Sequence, residues 1–277
     1  MLLKLLICSL LFLHGVRSED GTSQCVTPKV YSEIGCEPVI EEGEKCPKRF
    51  NCDSLANRDP GMCYHRGEAY NDTAKIPDTE RNCQAGCFCR DGVITCASIE
   101  CPELFGSYKK DCAPQYAKES CCAHDYICDP EEMEKLPKCF MDGREYRAGS
   151  QIYPESASCY KCLCVEGFDN TTKIEDNPNC YQINCGIELH SSDDIRDGCI
   201  PIYYKKPTCC PIGWRCPKDS DTVLELEGRT NEDSDPKMEC SFGKLKLNVG
   251  NQLSPEDGPK VKCECSIPPI VTCVRTS

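Results

Sequence analysis

Apolar residues are unevenly placed along this chain. The densest run covers residues 5–13 and is nearly all aliphatic; Lys4 precedes it, and the small residues Val16 and Ser18 follow at cleavage spacing. That pattern predicts a secretory signal peptide over residues 1–18. The run is shorter than the roughly 20 apolar residues that span a bilayer, and no later stretch comes close to that length. The mature chain is therefore expected to be secreted, extracellular and without a membrane span. Further on, apolar positions fall in short groups broken by polar residues and cysteine. Residues 87–90 and 93–96 flank Asp91 and Gly92, a dipeptide that favours positive φ, which predicts a β-hairpin. The matching connection at 165–179 is long, and at 266–269 it holds Pro268 and Pro269, which oppose a tight hydrogen-bonded turn. Residues 217–239 carry eight acids against Lys218, Arg229 and Lys237 and read as a flexible, solvated linker. Within it, residues 223–226 support a second, less favoured reading: an extended segment docked on the following sheet.

Composition explains how so sparse an apolar content can fold. The chain has one Trp, Trp214, and 29 cysteines in 277 residues, and Cys8 lies in the signal peptide. The rest form an even set, which in a secreted chain reads as cystines. Each contributes roughly 2–4 kcal/mol by restricting the unfolded chain. Zinc ligation is the competing reading, because Cys-x-Cys and Cys-Cys pairs are present, but thiolate ligands need the reducing compartment that a signal peptide argues against. Formal net charge is −13, and loss of Lys4 and Arg17 with the signal peptide makes it more negative. That disfavours nucleic acid and heparin-like partners and allows a basic protein partner. Asn71 and Asn170 open Asn-x-Thr sequons in polar stretches and are candidate glycosylation sites.

The cysteines repeat. One unit has them at 63, 83, 87, 89, 96, 101, 112, 121, 122 and 128, and a second at 139, 159, 162, 164, 180, 185, 199, 209, 210 and 216. Both have a central Cys-x-Cys and an adjacent pair followed six positions on by a last cysteine. Gly67 and Gly143 lie four residues after the first cysteine, and Tyr70 and Tyr146 follow. Cys240, Cys263, Cys265 and Cys273 reproduce the first half of the unit without its second cysteine. Cys25, Cys36, Cys46 and Cys52 reproduce the second half, with Lys45 where Cys121 stands in the first unit. Spacing alone leaves three pairings open for each set of four.

The ten-cysteine pattern resembles the von Willebrand factor type C module, found in chordin-like, kielin-like and crossveinless-like proteins. The resemblance implies a small, disulfide-rich, mostly β and irregular fold, with each module a short antiparallel sheet subdomain plus a cystine-tied loop subdomain. It implies a partial module at 19–52, a linker at 53–62, a module at 63–128, a linker at 129–138, a module at 139–216, the acidic linker at 217–239 and a partial module at 240–277, arranged as a string of modules. The family pairing carries over as Cys63–Cys89, Cys83–Cys121, Cys87–Cys96, Cys101–Cys122 and Cys112–Cys128, then Cys139–Cys164, Cys159–Cys209, Cys162–Cys180, Cys185–Cys210 and Cys199–Cys216. Only the second–eighth bond joins the two subdomains. The head lacks the eighth cysteine and the tail lacks the second, so each keeps a closed set: Cys25–Cys46 with Cys36–Cys52, and Cys240–Cys265 with Cys263–Cys273. Whether the head and tail halves dock, within or between chains, is left open.

No catalytic constellation is visible. His65, His124 and His190 sit in no metalloprotease pattern, and there is no nucleophile elbow or phosphate-binding loop. No enzyme activity, catalytic residue, metal or cofactor is expected. The resemblance implies binding of dimeric growth factors of the bone morphogenetic protein and transforming growth factor β class, through residues 59–70 with Val93 and Ile94, and through 135–146. Tyr70, Val93, Ile94 and Tyr146 are the candidate contacts, set against their packing as core. The alternative is an extracellular matrix or self-assembly protein, and protease inhibition is a third class. Oligomeric state is not legible.

Overall fold

The structure is a computed structural model that describes residues 25, 27–77, 83–106, 109–225, 235–255 and 260–275. The signal-peptide assignment and residues 226–234 of the acidic stretch lie outside the described residues. What is described is disulfide-rich and mostly strand and irregular chain, with small antiparallel sheets and a few one-turn helices.

The two full modules and the tail each begin with a tight hairpin. Cys63–His65 pairs with Glu68–Tyr70, Lys138–Met141 with Arg144–Arg147, and Glu239–Phe242 with Leu245–Asn248. In the second, the turn is Asp142 and Gly143, with φ of 50° and 76°. Two consecutive positive φ values match the twist of the flanking strands. In the first module Gln84–Arg90 and Val93–Ser98 form the hairpin around Asp91 and Gly92, with a bulge between Ala85 and Phe88. In the second module the long connection separates Tyr160–Leu163 from Cys180–Gln182, and Gln151–Ile152 completes a three-stranded sheet. Among the described residues there are fourteen cystines; Cys83–Cys121 and Cys159–Cys209 cross between the halves of their modules.

A loose string of modules is not what forms. The tail is stitched to the second module by a six-stranded sheet in the order Gly213–Arg215, Ile200–Tyr204, Thr272–Arg275, Val261–Glu264, Gln252–Leu253, Val223–Leu224. Ile200–Tyr204 and Thr272–Arg275 run parallel, with Ile202 opposite Cys273. The physical reason is burial. A half-module holds too few apolar residues to close a core. Phe242, Leu247, Leu253 and Val271 of the tail therefore pack around Cys240–Cys265 and Cys263–Cys273, with Ile200 and Ile202 taken from the second module.

The spacer reading of residues 217–239 fails at Val223–Leu224, which pairs with Gln252–Leu253 as the edge strand. Asp221 supplies the anchor. Its carboxylate lies 2.5 Å from the Arg215 guanidinium, both side chains are buried, and Arg215 also donates to the Ser254 carbonyl at 3.0 Å. The further hydrogen bond satisfies part of the guanidinium, as a buried ion pair requires.

The head closes the molecule, and it does so within one chain. Tyr31 and Phe50 stack at 4.1 Å between ring centroids. The Tyr31 hydroxyl donates to the Ile267 and Ile270 carbonyls and accepts from the Ile270 N–H at 3.1 Å, while the Phe50 N–H donates to the Pro268 carbonyl at 2.8 Å. The tail loop that lacks a tight turn is thus the surface on which the head sits. Glu33 accepts from the Cys185 and Ile187 N–H groups of the second module, and Ile187 fills the head core beside Val30, Tyr31 and Ile34.

Candidate ligand-binding surface

Strand alternation decides which side chains of the module hairpins face outward, because successive residues point to opposite faces. Cys63 pairs with Tyr70, and Cys139 with Tyr146. The two tyrosines therefore share the inner face with the first cysteine of each module, and both pack against the module cores. Ile94 pairs with Cys89, is 6% exposed in the first module's core, and donates its N–H to the Ser192 hydroxyl. The contact assignment for Ile94 is corrected: it packs against its own chain and is not presented to a partner. Tyr70 and Tyr146 are half-buried against the module cores, and Val93 is half-buried at the hairpin turn.

The outward position is the residue after the first cysteine: Tyr64, Phe140 and Ser241 in the three hairpins. Tyr64 is used internally. Its ring lies under the Arg58 guanidinium at 4.5 Å and its hydroxyl accepts from the Asp59 N–H at 2.7 Å. The segment leading into the first module is likewise folded back, since a Cβ on Gly92 would stand 2.0 Å from the Pro60 carbonyl oxygen. Ser241 offers no apolar surface. Phe140 alone of the three presents an open ring, 52% exposed. On the same face stand Lys138 and Glu145, Glu145 directly opposite Phe140, paired with each other at 2.8 Å. An apolar anchor inside a rim of satisfied charges is the usual anatomy of a binding spot. Phe140 lies inside the segment 135–146 but was not singled out there; the signal for it was the one-residue offset from Cys139.

Tyr153 and Lys161 extend the same half-module. Tyr153 is exposed, and the Lys161 ammonium lies 5.4 Å from its ring centroid. Burial lowers the Lys161 pKa and raises that of Tyr153. Opposite Lys161, Tyr181 is pushed up to about 12, first by burial and then by the charge of Tyr153. Sulfurs gather at Cys101, Cys121 and Cys122, and again at Cys185, Cys209 and Cys210. All six are in cystines, so none is a thiolate that could hold a metal.

Comparison with known proteins bears on the ten-cysteine units. The chain is 27% identical over 235 residues to the von Willebrand factor C and EGF domain-containing protein of Mus musculus, a match covering 75% of this chain and 23% of that protein. The ten-cysteine units are similar to von Willebrand factor type C modules, and the chain is disulfide-rich as tandem modules of that kind are. It is also similar to the dorsal-ventral patterning protein Sog of Drosophila melanogaster, 27% identical over 158 residues, covering 54% of this chain and 15% of Sog. A third relative is the cysteine-rich motor neuron 1 protein of Gallus gallus, 23% identical over 188 residues, covering 60% of this chain and 17% of that protein. The chain thus spans less than a quarter of the length of each of these relatives. No family model and no solved structure matches it. Among the described residues no helix is long and apolar enough to cross a membrane.

Proposed function

We propose that this chain is a secreted, non-enzymatic binding protein that modulates a dimeric growth factor of the bone morphogenetic protein and transforming growth factor β class. The observation that carries the reading is the exposed Phe140 ring on the first hairpin of the second module, inside the segment where type C modules are expected to make such contacts. Those ligands offer apolar patches, and a ring of this size with a charged rim suits one. A relative named for dorsal-ventral patterning fits the same class of role. The first module supports the choice by contrast, because its equivalent Tyr64 is covered by Arg58.

The test is binding of the secreted, non-reduced protein to a panel of purified growth-factor dimers, with Phe140→Ala beside the wild type. Saturable binding at or below about a micromolar dissociation constant, roughly −8 kcal/mol, weakened about tenfold or more by the substitution, is the expected result. No binding across the panel overturns the proposal.

A further inference from the structure

Beside Phe140 lies an open depression of about 630 Å³. Its wall is made by the Asp142–Gly143 turn, Ala157 and Ile174, and its other rim carries Asn170 and Thr172 of the long connection. Asn170 is exposed and begins the sequence Asn-Thr-Thr, an acceptor for N-linked sugar.

The connection that carries Asn170 is held in place. Asp169 accepts from the Thr171 N–H at 2.8 Å and hydroxyl at 2.6 Å, and from the Thr172 hydroxyl. The buried Asn177 side chain donates to the Asp169 carbonyl at 2.7 Å, and Phe168 and Ile174 pack on the module core. A sugar rooted at Asn170 therefore starts from a fixed point on the rim.

We infer that the depression is the seat of an N-linked glycan on Asn170, whose first sugars lie on the Phe140 ring and mask it. The chemistry of the wall suits that occupant. The C–H face of an N-acetylglucosamine ring packs on an aromatic face as other apolar groups do, and the hydroxyls and acetamide find Ser156, Lys173 and Glu175 around the rim. Glycan occupancy then sets whether the growth-factor contact is open, a consequence that rests on the reading of Phe140 proposed above.

The test uses the full secreted protein, before and after removal of its N-glycans from the folded state by an amidase. Hydroxyl-radical oxidation is read by peptide mass at Phe140, with the exposed Phe88 as internal reference and an Asn71→Gln variant to isolate the second sequon. The expected result is an occupied Asn170 and a several-fold rise in oxidation of Phe140 relative to Phe88 on removal, unchanged in the Asn71→Gln protein. An unoccupied Asn170, or equal oxidation with and without the glycan, overturns the inference. Growth-factor binding is then measured on the same two preparations. Masking with unchanged binding supports the seat and sinks the assignment of Phe140 to the growth factor.

Discussion

The Arg58 guanidinium lies 2.5 Å from the carboxylate of Glu188, 130 residues further along the chain and 3% exposed. Arg58 comes from the segment between head and first module, and Glu188 from the one-turn helix Ile187–His190 of the second. The same carboxylate accepts the Arg66 N–H of the first module at 2.7 Å, and Arg58 also donates to the Ile34 carbonyl of the head at 3.1 Å. One ion pair therefore ties three modules together.

Breaking that pair from one side should be costly. Arg58→Ala leaves Glu188 buried without its cation, a change expected to destabilise by about 3–5 kcal/mol. Burial already raises the Glu188 pKa against the opposing pull of Arg58. A melting curve should show a lower transition for Arg58→Ala than for wild type. An unchanged curve would mean that the junction stands without the pair.

Tyr31 is the hinge pin between head and tail. Tyr31→Phe keeps the stack on Phe50 but leaves the Ile267 and Ile270 carbonyls without their donor, a loss of about 1–3 kcal/mol. Hydrogen exchange should speed up across residues 27–52 and 266–271 while the first module's hairpins stay protected. Uniform exchange in both proteins would refute this docking in solution.

Phe140 and Ile94 should behave oppositely. Ile94→Ala removes a core side chain, at about 2–5 kcal/mol, and should lower stability without weakening ligand binding by the folded fraction. Phe140→Ala removes an exposed ring, so its melting temperature should stay near wild type while growth-factor affinity falls. Equal binding losses in the two variants would remove the case for Phe140 as a specific contact.

His190 should make the module junction sensitive to acid. Burial lowers its pKa below the ordinary 6.5, against the raising effect of Glu33, and its ring lies 3.3 Å from the Gln84 side chain of the first module. A group whose folded pKa is depressed contributes stability that is full above the unfolded value and lost as pH falls through the folded one. Stability should thus be level above pH 6.5 and decline below it, and His190→Gln should reduce that decline. Thermal melts across pH 5–8 would show it; parallel profiles would exclude His190 as the cause.

Much of the local structure was legible in the chain because cysteine spacing and turn residues act over short range. Asp91 and Gly92 specify a hairpin wherever they sit between such strands, and the ten-cysteine units mark modules regardless of their surroundings. The outward side of each hairpin was legible too, since Cys139 and Tyr146 share a face and Phe140 does not. What only the tertiary structure decided is how the modules meet. Tyr31 and Ile270, or Arg58 and Glu188, sit far apart in sequence, and no local pattern distinguishes a tyrosine that packs on its own module from one that packs on the opposite end of the chain. Val223–Leu224 looked like part of a solvated acidic stretch because the buried Arg215 that anchors Asp221 and the open edge at Gln252–Leu253 come together only once the tail has joined the second module. The sequence by itself determined the modules, their turns and their need for cystines; the burial that two half-modules cannot achieve alone brought head and tail together.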